Sequence, residues 1–125
     1  MLHLIGALGA GGCTYKSVEF DGELVSALSI SERMTMANLA MEMGVKCVFT
    51  PTDDKAEAYL VERSSRPYEP IVADADAHYA QTIDVDGASI VPMVACPHEV
   101  DNMMENVTKR VCQIHSRAEP LGKAE

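Results

Sequence analysis

The chain has no apolar run approaching the length of about eighteen residues that crosses a bilayer, so no membrane-spanning helix is expected. No positively charged stretch precedes the short apolar N-terminus, and no secretory leader is expected either. Positive charge is scarce throughout: ten Lys and Arg against nineteen Asp and Glu give a formal charge of -9. Phosphate backbones and anionic bilayers both need clustered Lys and Arg, which argues against nucleic acid or membrane as partner. Cysteines are few and scattered. Cys13, Cys47, Cys96 and Cys112 form no CxxC pair, which suits reduced thiols in the cytoplasm better than a disulfide scaffold or an iron–sulfur cradle.

Other absences narrow the chemistry. None of His3, His78, His98 and His115 stands in a recognisable local signature with a Ser or Cys nucleophile, so a hydrolase triad has no support. The run Gly9, Ala10, Gly11, Gly12 has no strand before it and no Lys–Ser/Thr after it, and reads as a helix stop, not a phosphate loop. Cys96 with His98 and Cys112 with His115 have the composition of a tetrahedral zinc site. Their spacing fits no standard finger and Pro97 interrupts the first pair, so ordinary loop residues are expected there. No internal repeat or low-complexity tract is present.

What the chain does contain, over 125 residues, is the pattern of one compact α/β domain. Leu2, Leu4, Ile5 and Leu8 predict an uncapped first helix, whose start at Met1 resembles a cut. Residues 15–20 read as a strand closed by Asp21 and Gly22, and residues 45–50 as a nearly continuous apolar strand of the buried kind. A further helix follows, with Thr52 or Asp53 as cap and Ala56, Tyr59 and Leu60 inside. After Pro67 come an acidic connector at 74–77, a strand at 80–85 and an apolar stretch at 90–95; Met103 and Met104 read as a helix or loop contact. Helices alternating with buried strands predict a layered α/β domain with a mainly parallel sheet flanked by helices. Periodicity fades after about residue 105, and a mobile tail is expected over 108–125.

The most informative segment is the helix predicted between Ser29 and Gly44. Ser29 and Glu32 form a capping box, and Gly44 supplies a left-handed stop. Ile30, Met34, Met36, Ala37, Leu39, Ala40, Met41 and Met43 give the composition of a helix covered on most sides. One narrow stripe differs: Ser31, Thr35, Asn38 and Glu42 fall within roughly 60° of one another on the helix surface. These are short groups suited to fixed hydrogen bonds, not the Lys and Arg of a solvated face. A carboxylate held there can take or give a proton, with the amide four residues back orienting what it touches. The same stripe also reads as a structural polar seam paired to backbone elsewhere.

Three strings occur in a telling order: Tyr15-Lys-Ser-Val-Glu-Phe-Asp-Gly22, Leu28-Ser-Ile-Ser-Glu-Arg-Met-Thr-Met-Ala-Asn-Leu-Ala-Met-Glu-Met-Gly44, and Val94-Ala-Cys-Pro-His-Glu-Val-Asp-Asn102. Together they resemble the aconitase superfamily, above all the large subunits of 3-isopropylmalate dehydratase and homoaconitase-type enzymes. The resemblance covers residues 1–107 and implies the second α/β domain of an iron–sulfur large subunit, as a piece of a longer chain. It implies hydro-lyase chemistry, in which a hydroxyl moves between adjacent carbons by dehydration and rehydration. It implies that Asn38 lies near the cluster and Glu42 in the network around the substrate hydroxyl, as the catalytic residues of this segment. The complete enzyme would hold a [4Fe-4S] cluster, a small subunit and a hydroxy-acid substrate. None of the four cysteines here matches a cluster ligand, so neither a cluster nor turnover is expected on this chain alone. A different class remains open beside it: a free-standing interaction module that keeps the fold without catalysis and associates with itself through faces left apolar.

Overall fold

The computed structural model describes residues 1–105; the expected tail over 108–125 lies outside the described residues. Helix α1 (Leu2–Leu8) begins at Met1 without a side-chain cap and stops at Gly9, as its leucine spacing predicts. Strands β1 (Ser17–Glu19) and β2 (Cys47–Phe49) pair in parallel, with Val18 opposite Val48. Parallel strands need a long crossover. Here it consists of α2 (Glu23–Ala27), α3 (Ile30–Ala40) and a 3-10 turn over Met41–Met43. Helix α4 (Asp54–Val61) follows β2, and of its two candidate caps Asp53 serves, Oδ1 accepting the Ala56 N–H at 3.1 Å.

The capping box of α3 forms as expected: Ser29 Oγ accepts the Glu32 N–H at 3.3 Å, and Glu32 Oε2 accepts the Ser29 N–H at 2.7 Å. The hydrogen bonds from Ser29 hold the Glu32 carboxyl below its ordinary pKa. Gly44 ends the following turn at φ 79°, and a Cβ there would lie 2.8 Å from Thr14 Oγ1, so conformation and space both favour glycine.

A second small sheet pairs β3 (Met93–Ala95) with β4 (Met103–Glu105) in antiparallel fashion, Val94 opposite Met104. It lies against α1, where a Cβ on Gly6 would sit only 2.5 Å from Met103 Cγ. The core gathers where these pieces meet: Ile5, Cys13, Ala40, Met43 and Val45 are buried together, with Leu8, Val18, Leu39, Val48, Val100 and Met103 packed against them. The architecture is thus mixed α/β with a small parallel sheet.

Four expectations differ from this picture. Residues 80–85 form no strand; Ile83 and Val85 stay exposed, and no neighbouring strand among the described residues offers them a ladder. Met103 and Met104 belong to β4, because the turn before them brings the chain back onto β3. In β2 only Val48 turns inward while Cys47 and Phe49 are exposed, since this two-stranded sheet is covered on one face among the described residues. Finally, α3 is not covered on most sides: its buried residues are Arg33 and Ala40, whereas Met34 and Met41, the latter in the turn after it, are 52% and 62% exposed.

Candidate functional site

Helix α3 is fixed from behind by charge. Arg33 is 3% exposed, and its guanidinium reaches two separate segments. Nη1 donates to the Pro51 carbonyl and to Asp53 Oδ1, each at 3.1 Å; Nη2 donates to Asp53 Oδ2 at 2.5 Å and to the Ser26 carbonyl at 3.2 Å. The Arg33 fork beside it pulls the Asp53 carboxyl down to about 2, with the Ala56 N–H assisting. Lys55 completes the clasp by donating to the carbonyls of Ser26, Ala27 and Leu28 at 2.7, 2.8 and 3.3 Å. Those are the orphan acceptors at the end of α2, where a cation also complements the helix dipole.

The opposite side of α3 carries the predicted stripe. Ser31, Thr35, Asn38 and Glu42 are all exposed. The four are not equivalent. Thr35 Oγ1 donates to the Ser31 carbonyl at 2.9 Å and is satisfied by its own helix. The side chains of Asn38 and Glu42 make no hydrogen bond or ion pair among the described residues. Asn38 sits on the last turns of α3, whereas Glu42 lies one step beyond, in the 3-10 turn that was expected to be regular helix. Met34 and Met41, four residues before Asn38 and three after it, flank the amide on the helix surface.

The remaining candidates lie elsewhere in the fold. In the glycine run, the Ala10 N–H donates to Asp101 Oδ2 at 2.9 Å and the Gly12 N–H to the Gly9 carbonyl at 3.1 Å, so these amides are engaged within the protein. Of the zinc-type set, Cys96 is half-buried and His98 exposed, while Cys112 and His115 lie outside the described residues. Cys13 is buried in the core, and Cys47 Sγ donates to Ser17 Oγ at 3.0 Å across the parallel sheet. These thiols are dispersed over separate elements, and no group of three or more His, Cys, Asp and Glu gathers among the described residues. The donor set described here therefore does not fit an iron–sulfur cluster. No helix among the described residues is long and apolar enough to cross a membrane.

Sequence reasoning did not single out Arg33 or Lys55 for a role. One signal was present: a lone Arg within a helix otherwise free of basic residues, twenty residues before an Asp in N-cap position.

Comparison with known proteins places the chain in a family. The model of the Aconitase family (aconitate hydratase) matches residues 1–121. The chain is 48% identical over 102 residues to a probable methanogen homoaconitase large subunit of Methanosarcina mazei, covering 82% of this chain and 26% of that protein. It is 45% identical over 103 residues to the 3-isopropylmalate dehydratase large subunit of Elusimicrobium minutum (82% and 25%), and 42% identical over 115 residues to that of Oleidesulfovibrio alaskensis (92% and 27%). The chain spans about a quarter of the length of these curated relatives. A family match over nearly the whole sequence, with identities above 40%, establishes that the chain belongs to the aconitase family.

Proposed function

We propose that this chain is one α/β segment of the large subunit of a hydro-lyase of the 3-isopropylmalate dehydratase type, with its body in residues 1–107. In this reading Asn38 and Glu42 enter a site completed by other parts of the enzyme. The observation that carries it is the state of those two side chains: exposed, four residues apart, and unengaged among the described residues, on α3 and the turn that continues it, with the rear face of that helix tightly held. An amide and a carboxylate presented in this way on a fixed support are suited to grip a polar substrate.

The chemistry assigned to the chain is limited to what these groups do. In dehydration of a hydroxy acid the departing hydroxyl leaves as water once it gains a proton; Glu42 in its acid form supplies that proton and the carboxylate recovers one from water on the return. The hydrogen on the adjacent carbon goes to a base contributed by another segment. Asn38, with two donors and an acceptor, orients the hydroxyl toward the carboxyl group. The [4Fe-4S] cluster of the complete enzyme, the small subunit, the hydroxy-acid substrate and a cytoplasmic location belong to the same proposal, with the cluster ligands on other segments.

Replacing Glu42 by Gln in the assembled enzyme tests the reading. Turnover is expected to fall by about 10²–10⁴-fold with the assembly intact; unchanged turnover overturns it. The exposure of Met34 and Met41 favours a second reading, a self-associating module without catalysis. Sedimentation of the purified chain separates the two, since a strict monomer at high concentration removes the module.

A further inference from the structure

We propose that Arg33 is a positioning residue for Asn38 and Glu42: its guanidinium fork, on the far side of α3, ties that helix to α2 and to the β2–α4 connection and so fixes the direction in which the amide and the carboxylate face. The inference rests on the role given to that pair above.

Placement is the first support. At 3.6 residues per turn, Arg33 lies roughly 140–160° round the helix from Ser31, Thr35 and Asn38, so the clasp and the stripe occupy opposite faces. Every hydrogen bond of the fork leaves α3: one to Ser26 at the end of α2, one to Pro51 and two to Asp53 ahead of α4. A helix held by one guanidinium to two outside segments is restrained in rotation about its axis as well as in depth. Rotation is the coordinate that would carry Asn38 and Glu42 away from a bound substrate.

The second support is what the clasp does poorly. Among the described residues Arg33 is the charged side chain that is buried, and its Nε has no hydrogen-bond partner there. Burying a cation and leaving one donor unmatched is a weak way to stabilise a fold, because exchanging a whole buried ion pair for well-packed apolar residues of similar volume is often neutral or stabilising. The planar fork instead supplies direction, two parallel bonds to one carboxylate plus two to carbonyls, which the single ammonium of a Lys cannot reproduce. The arrangement is better suited to setting an angle than to adding stability.

A mutant cycle in the assembled enzyme tests this with Arg33→Lys, Glu42→Gln and the double variant, and Asp53→Asn as a second route to the same loosening. Arg33→Lys is expected to lower kcat by about ten- to a hundredfold with KM changed less than about twofold. In the Glu42→Gln background the same substitution should have a clearly smaller further effect, since of the two groups it positions only Asn38 remains. Wild-type turnover in both Arg33→Lys and Asp53→Asn, or a loss that persists undiminished in the Glu42→Gln background, overturns the proposal and leaves the Asn38 and Glu42 reading standing. Wild-type turnover in Glu42→Gln removes that reading and the proposal with it. Hydrogen exchange in the 125-residue chain gives a readout without turnover. Amides from Met34 to Glu42 are expected to exchange about tenfold faster in Arg33→Lys and Asp53→Asn, and unchanged exchange in both overturns the proposal.

Discussion

The two faces of α3 differ in a way that its composition conceals. The rear is anchored by a buried guanidinium whose bonds reach Ser26, Pro51 and Asp53, whereas the front offers an amide and a carboxylate that bond to nothing among the described residues. The polar groups of this helix are therefore divided between holding and presenting. The difference teaches that a helix of mixed composition can be divided sharply between two faces, because single residues set what each face does.

The largest expected effect separates the faces outright. Glu42→Gln removes a front-face group and should reduce turnover by the two to four orders of magnitude stated above while leaving thermal unfolding of the chain within about 0.5 kcal/mol, as for other exposed substitutions. Arg33→Met attacks the rear and strands Asp53 without its cation. Urea unfolding should show a loss of about 3 kcal/mol, the low end for a broken buried pair because the Asp53 side chain keeps 30% of its exposure.

Acid sharpens the same contrast. The Asp53 carboxyl titrates near 2 in the fold, against about 3.9 for a free Asp, so its contribution to stability is complete above about pH 4 and is lost as pH falls toward 2. Wild-type stability is expected to drop more steeply through that window than that of Asp53→Asn; parallel pH curves would show that the clasp does not depend on the carboxylate. Smaller still, Ser29→Ala removes the cap at the start of α3 and should cost about 1 kcal/mol by thermal melting. The smallest effect belongs to the other ion pair, Arg63 with Glu62, whose side chains are 51% and 73% exposed. Glu62→Gln is expected to move stability by less than about 0.5 kcal/mol, which sets the scale against which the Arg33 clasp is judged.

Local signals in the sequence located α1, the capping box of α3, both partners of the parallel pair and the Asp53 cap, because each depends on residues a few positions apart. Readings that depend on distant partners fared less well. The alternation at Ile83 and Val85 had no neighbouring strand to pair with, and Met103 joined β4 only because the chain doubles back onto β3. The stripe was legible as a face, and its exposure follows the periodicity. The end of the regular helix at Ala40 was not, since the tightening into a 3-10 turn before Gly44 leaves no mark in the apolar spacing. The clasp was hidden for the same reason as β4: Arg33 and Asp53 meet across twenty residues, and nothing short-range announces it.

The close approach of Gly6 to Met103 has a consequence for biosynthesis. Helix α1 rests on β4, which is made much later in this chain, so its inner leucines and Ile5 wait for that strand before they are sheltered. At translation rates of 5–20 residues per second that interval is roughly 5–20 s, long enough for a chaperone to bind the nascent α1 segment before the native hairpin does.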